Sequence, residues 1–159
     1  MPKEPYDRAR TRIWTDFVGS RIIPAFHRFL QHQGSDGLQE KRDEFLGYLK
    51  EFAGAMDEEG PFFNGKEFGL ADVVLAPWAT RLWVFDHFKG GLGIPEKGAD
   101  GEDKVWKRWS VWSEAISKRK SVVETLSDRD HYIPIYQRYA DDKAQSELAK
   151  ATRAGRGVP

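Results

Sequence analysis

The sequence predicts an all-α fold, a helical bundle of about five to seven helices in one domain. Apolar residues recur at intervals of three and four over most of the 159 residues, which is the period of an amphipathic helix. No segment alternates apolar and polar residues over a useful length, so no sheet is expected. A chain of this length can bury a hydrophobic core without help from a metal or a disulfide.

The first helix is predicted from Tyr6 to about His32, with a bend near Gly19 to Ile23. The bend is expected because Pro24 has no N–H to donate to the carbonyl of Ser20. A short loop leads to a second helix, and a glycine-rich connection with a tight turn at Asn64-Gly65 follows. The predicted later helices cover residues 38–57, 70–89, 104–119, 121–126 and 130–151. We expect residues 1–152 to form the domain and 153–159 a flexible tail.

Composition excludes several classes of function. Lysine and arginine balance aspartate and glutamate at 25 each, so the charge does not indicate nucleic acid as a partner. The absence of cysteine excludes disulfides, thiolate metal sites and a cysteine nucleophile within this chain. No apolar run reaches transmembrane length or has the character of a signal peptide, so no membrane partner and a cytoplasmic location are expected.

The segment from Gly60 to Leu82 places an acid, Asp72, third in a helix that is otherwise almost entirely apolar. The third helical position allows its carboxylate to accept from the free backbone N–H of the cap residue, Gly69. Because a carboxylate with a backbone partner is already satisfied, we interpret Asp72 and Gly69 as a structural cap. This start resembles that of the central helix in the C-terminal domain of glutathione transferases. The resemblance runs over nearly all of the chain and implies that domain's all-helical fold.

Within that superfamily the omega class is most similar, because the helix reads Ala76-Pro77-Trp78-Ala79-Thr80-Arg81. The resemblance implies that Trp78 and Arg81 face a substrate pocket. Tyr132, Tyr136 and Tyr139 have the spacing of the omega aromatic positions, and steps of four and three keep them on one helix face. From the same alignment, Ile22 and Phe26 are expected to contact the second substrate and Asp16 to lie near glutathione bound by a partner subunit. Arg81 has an alternative role as an ion-paired helix residue.

Two departures from the family pattern are visible. Gly69 replaces the usual serine or threonine cap, so the hydroxyl half of the reciprocal pair is absent. The thioredoxin-like domain that binds glutathione and carries the nucleophile is also missing from this sequence. No catalytic residue is therefore assigned, and the chain alone is expected to be inactive.

Other residue patterns have simpler explanations. Trp106, Trp109 and Trp112 are three apart, which predicts two core positions and one partly exposed position. The four histidines show no metal-ligand spacing, so no metal and no cofactor are expected.

The leading hypothesis is the substrate-binding domain of an omega-like enzyme that conjugates glutathione or reduces glutathionyl adducts. Glutathione would be a co-substrate, and the second substrate a hydrophobic or quinone-like molecule. The alternatives are a non-catalytic protein-interaction module and a domain that binds hydrophobic ligands without chemistry. The surface where the missing domain would dock is expected to be apolar, and a homodimer is one possible outcome.

Overall fold

Nine α-helices and one π-helical segment make up the regular structure of residues 1–99 and 103–159, which a computed structural model describes. They are α1 Pro5–Phe17, the π segment Val18–Ile22, α2 Ile23–Gln31, α3 Leu38–Gly54, α4 Leu70–Ala79, α5 Trp83–Lys89, α6 Lys104–Lys118, α7 Lys120–Val123, α8 Arg129–Ala140 and α9 Glu147–Arg153. The predicted all-α class is confirmed. Within these ranges β pairing is limited to an isolated bridge between Phe62 and Gly65, at the predicted Asn64-Gly65 turn.

The first predicted helix is continuous through α1, the π segment and α2, and its irregular part lies where Pro24 requires it. The Ile23 N–H donates to the carbonyl of Val18, five residues back, which is the π pattern. Pro24 occupies the first turn of α2, where a missing N–H has little cost.

The prediction of one helix over residues 70–89 is wrong, because the chain forms two helices there, α4 and α5. The chain tightens after Ala79, since the Arg81 and Leu82 N–H groups donate to carbonyls three residues back. The Thr80 hydroxyl donates to the carbonyl of Ala76 at 2.9 Å. The turn at residues 80–82 places Arg81 between two helices.

The last predicted helix, over residues 130–151, is also two helices, α8 and α9. Asp142 has φ 54°, a left-handed conformation that ends a helix, and the Lys143 and Ala144 N–H groups both donate to the carbonyl of Arg138. Arg153, predicted to begin the flexible tail, is the last residue of α9. Its guanidinium donates to the Asp142 carboxylate at 3.1 Å.

The core lies where α2, α3, α4 and α6 meet, and it is strongly aromatic. Phe26 on α2 contacts Phe45 and Phe85 edge to face, with ring centroids 5.7 Å and 4.7 Å apart. Trp106, Trp109 and Trp112 are only 7%, 3% and 0% exposed, so the prediction that one would be partly exposed is wrong. All three are covered because α6 packs against α3, α4 and α7. In the described part of the chain no helix is long and apolar enough to cross a membrane.

Candidate functional site

Asp72 is fully buried and forms three hydrogen bonds. The Gly69 N–H donates to Oδ2 at 2.8 Å, which is the predicted capping bond. The Phe63 N–H and the Trp112 indole N–H donate to Oδ1 at 2.8 Å and 2.7 Å. One carboxylate therefore joins the loop before α4, the start of α4 and the middle of α6.

The structure gives Asp72 more hydrogen bonds than the sequence predicted. Local spacing indicated a single bond from Asp72 back to Gly69, and the structure adds two partners that lie 9 and 40 residues away in the chain. Since glycine has no side chain, the carboxylate supplies the whole side-chain part of the cap. Three donors surround the carboxylate, which favours the predicted structural role of Asp72.

Arg81 leaves the turn after α4 and reaches α8. Its Nη2 donates to the Tyr132 hydroxyl at 3.2 Å, and its guanidinium carbon lies 4.8 Å from the centre of the Tyr132 ring. Its Nε is buried without a hydrogen-bond partner, and no carboxylate in the described ranges forms an ion pair with it. This geometry favours the pocket-cation interpretation over the ion-paired one.

The Tyr132 hydroxyl accepts a second hydrogen bond, from the Ser127 N–H at 3.2 Å. These bonds, from Ser127 and then from Arg81, lower the pKa of Tyr132 below its ordinary value because they stabilise the phenolate. Burial has the opposite effect on Tyr136, whose pKa is raised. Tyr132 is therefore the more acidic and better hydrogen-bonded phenol of the two.

Most of the predicted pocket residues belong to one aromatic cluster. Phe26 contacts Trp78 at a centroid distance of 5.2 Å and Tyr136 at 6.2 Å, and Tyr136 lies 6.2 Å from Tyr132. Tyr139 continues the row 6.4 Å from Tyr136, and its hydroxyl is hydrogen-bonded to Ser146. Residues that are 50 or more positions apart in the sequence are thus brought together.

Three predicted residues lie outside the exposed part of this cluster. Ile22 is fully buried in the core, as is Phe26, so both would act on a ligand through the residues that cover them. Asp16 is exposed on α1, with the Ser20 hydroxyl 3.5 Å from its carboxylate. Their assigned roles stay predictions.

A cavity of about 450 Å³ lies beside Arg81. Of the predicted residues, Arg81 lines it, whereas Trp78 and the tyrosines do not. The rest of its lining comes from the segment before α4, from α4, and from α7 with the residues that follow it: Phe68, Val73, Ala76, Pro77, Ser121, Val122, Thr125 and Leu126. The sequence predicted a short helix over residues 121–126, which overlaps α7, but not that this helix would line a cavity.

His27 was also missed as part of the cluster. It is 3% exposed, with its ring 5.6 Å from Trp78 and 5.2 Å from Tyr139, and its Nδ1 has no hydrogen-bond partner among the described residues. Burial lowers the pKa of His27 to about 4, so the ring is neutral at pH 7. Within the described ranges no group of three or more histidine, aspartate or glutamate side chains could hold a metal ion.

The chain is thus an all-helical bundle with a buried aspartate cap and with an arginine that contacts the aromatic row through Tyr132 and borders a cavity. Residues 35–115, just over half of the chain, match the glutathione S-transferase C-terminal domain family. The chain belongs to this family.

Curated relatives and a solved structure agree with that assignment. A probable glutathione S-transferase from Nicotiana tabacum is 25% identical over 129 residues, which cover 81% of this chain and 53% of the relative. Glutathione S-transferase U19 from Arabidopsis thaliana is 27% identical over 128 residues, 80% of this chain and 53% of the relative. The chain thus spans about half the length of the curated relatives it matches.

The crystal structure of glutathione transferase Omega 3C from Trametes versicolor superimposes with a TM-score of 0.73 at 34% identity. The superposition covers 91% of this chain and 57% of that one.

Proposed function

We propose that this chain is the substrate-binding helical domain of an omega-like glutathione transferase. The complete enzyme would transfer glutathione or reduce glutathionyl adducts, with glutathione as co-substrate. A thioredoxin-like domain would supply the nucleophile, and this domain would orient and desolvate the second substrate. The likeness to an omega enzyme from Trametes versicolor and the Pro77-Trp78-x-x-Arg81 sequence support the omega assignment. A homodimer and a cytosolic location remain predictions of the same hypothesis.

The proposal depends mainly on the contacts of Arg81 and on its position beside the cavity. An arginine on a helix usually pairs with a carboxylate, but this one donates to a phenol and borders a cavity. A partly buried guanidinium without an anionic partner favours the binding of an anion. The cavity walls are mainly apolar, so the rest of that ligand should be hydrophobic.

These features together indicate a flat hydrophobic molecule with one acidic oxygen. The deprotonated hydroxyl of a hydroxyquinone would accept from Arg81, and its ring system would contact Val122, Leu126 and Pro77 on the apolar walls. Tyr132 does not line the cavity, and its contacts with the Arg81 guanidinium would hold that group in place beside the ligand.

Isothermal titration of the 159-residue chain with a hydroxynaphthoquinone tests this proposal. Arg81→Gln removes the charge at similar length, and we expect binding to weaken by about tenfold to a hundredfold, the usual value of a charge-assisted hydrogen bond. Arg12→Gln, at an exposed position on α1, removes the same charge from the chain and should leave the affinity unchanged. Circular dichroism would establish that both variants fold.

Glutathione titrated in parallel should not bind, because its site would lie in the companion domain. Quinone binding that is equally strong in Arg81→Gln would contradict the proposed site. If the wild-type chain binds neither ligand, the interaction-module alternative is favoured, and protein partners become the next subject of study.

A further inference from the structure

A second cavity, of about 340 Å³, lies between the C-terminal end of α3 and the first turns of α6. None of its lining residues lines the cavity beside Arg81. Its apolar surface comes from Met56, Val105 and Val111, together with the small residues Ala53 and Gly54 at the end of α3. Val111 is 45% exposed, so the apolar surface is open to a ligand.

The remaining lining residues are charged, and cations dominate. Lys104, Lys107 and Arg108 line the cavity together with one acid, Glu58. Positions 104, 107, 108 and 111 are three and four apart, so the cations and Val111 share one face of α6. The lining therefore has two more positive charges than negative ones.

The positive charge is poorly neutralised by the protein itself. Lys107 is exposed and forms no ion pair in the described ranges. Arg108 donates to the backbone carbonyls of Asp57 and Phe62, both at 2.7 Å, and among the described residues it forms no ion pair and its Nη1 has no hydrogen-bond partner. Lys104 pairs with Glu58 at 2.6 Å, but both side chains are more than 75% exposed, and such surface pairs contribute little.

We propose that this cavity binds a small amphiphilic carboxylate, an acid with a medium-length apolar chain. Lys107, with Lys104 beside it, binds the carboxylate, and the positive potential of Arg108 adds to the attraction. The apolar chain lies on Met56, Val105 and Val111. The cavity volume, near the lower end of the range for small-molecule sites, limits the apolar part to a chain of medium length.

Isothermal titration of the 159-residue chain with decanoate tests the proposal, with decanol as the uncharged probe of equal chain length. Lys107→Glu reverses the charge of that side chain, which removes the excess positive charge of the lining, and should weaken decanoate binding by about tenfold or more. Val111→Trp fills the apolar part from an exposed position and should abolish saturable binding of both probes. Lys143→Glu makes the same change of net charge at an exposed site between α8 and α9 and should have no effect.

Arg81→Gln assigns the binding to one cavity or the other. Decanoate binding that survives Arg81→Gln and is lost in Val111→Trp supports the proposal, whatever the result with the quinone. Binding that is lost in Arg81→Gln and retained in both α6 variants would place the carboxylate beside Arg81 and overturn it. Absence of saturable binding to the wild-type chain at millimolar decanoate, or equal affinity for decanol, would also overturn it.

Discussion

Replacement of Asp72 by alanine should destabilise the domain more than a lost helix cap would. The substitution leaves three donors without their acceptor, namely the Phe63 and Gly69 N–H groups and the Trp112 indole N–H. An unpaired buried donor costs about 1–3 kcal/mol. Water can reach the partly buried Gly69 group, and removal of a buried charge offsets part of the loss. We therefore expect the free energy of unfolding to fall by about 3–5 kcal/mol, a large share of the ~5–15 kcal/mol typical of a domain.

Urea unfolding followed by tryptophan fluorescence and circular dichroism measures this change. Asp72→Asn provides an internal comparison, since its amide oxygen can still accept from Phe63 and Trp112 whereas its NH₂ group faces the Gly69 N–H. It should cost less than alanine, about 1–3 kcal/mol. Asp86→Ala, which removes an exposed acid from the first turn of α5, controls for the loss of a helix-start charge and should cost about 0.3–1 kcal/mol.

The reasoning would be refuted if Asp72→Ala unfolded at the same urea concentration as Asp86→Ala. It would also fail if Asp72→Asn were as unstable as Asp72→Ala, because the two bonds to Oδ1 would then contribute nothing.

Three other changes test the packing. Protonation of His27 favours the unfolded chain, because burial lowers the pKa of this histidine. The contribution of neutral His27 to the free energy of unfolding is therefore complete above pH 6.5 and is lost as the pH falls toward 4, by about 3 kcal/mol. His27→Phe should flatten this part of the pH dependence in urea unfolding. Gly60→Ala should lower the melting temperature because its Cβ would meet the Gly65 backbone, whereas Gly47→Ala, with open space on α3, should raise it. Ser146→Ala removes the α9 cap and the Tyr139 bond and should cost about 1–2 kcal/mol in thermal unfolding; an unchanged melting curve would contradict that contribution.

The fold was largely predictable because its signals are local. Apolar spacing identified the helical segments, and Pro24 indicated the position of the π segment. The errors came from helix breaks without a local signature. Asp142 adopts a left-handed conformation that aspartate tolerates but does not require, and the turn at 80–82 contains neither glycine nor proline to mark it.

The candidate site was predictable only in part. The cap bond between Gly69 and Asp72 follows from a three-residue spacing, but the Trp112 partner requires α6 to cross α4, which no local pattern specifies. The contact between Arg81 and Tyr132 joins residues 51 positions apart, and the resemblance to a family indicated both residues without their geometry. A short helix was predicted at α7, but no motif placed it in the wall of the cavity.

The position of Arg81 depends on the same helix that Asp72 fixes. Asp72 lies in the first turn of α4 and Arg81 two residues after its end, so about 10 Å of helix, from Asp72 to Ala79, lies between them. Three hydrogen bonds hold one end against α6 and the loop before α4, and the Tyr132 contact holds the other end against α8. Because Arg81 is only partly buried and contacts α8 through a side chain, its replacement by glutamine should change stability little while it weakens the binding of the anion. Asp72→Asn should have the reverse effect, since α4 stays in place as long as two of the three bonds remain. Stability and ligand affinity are thus assigned to opposite ends of one helix, and the two variants separate them.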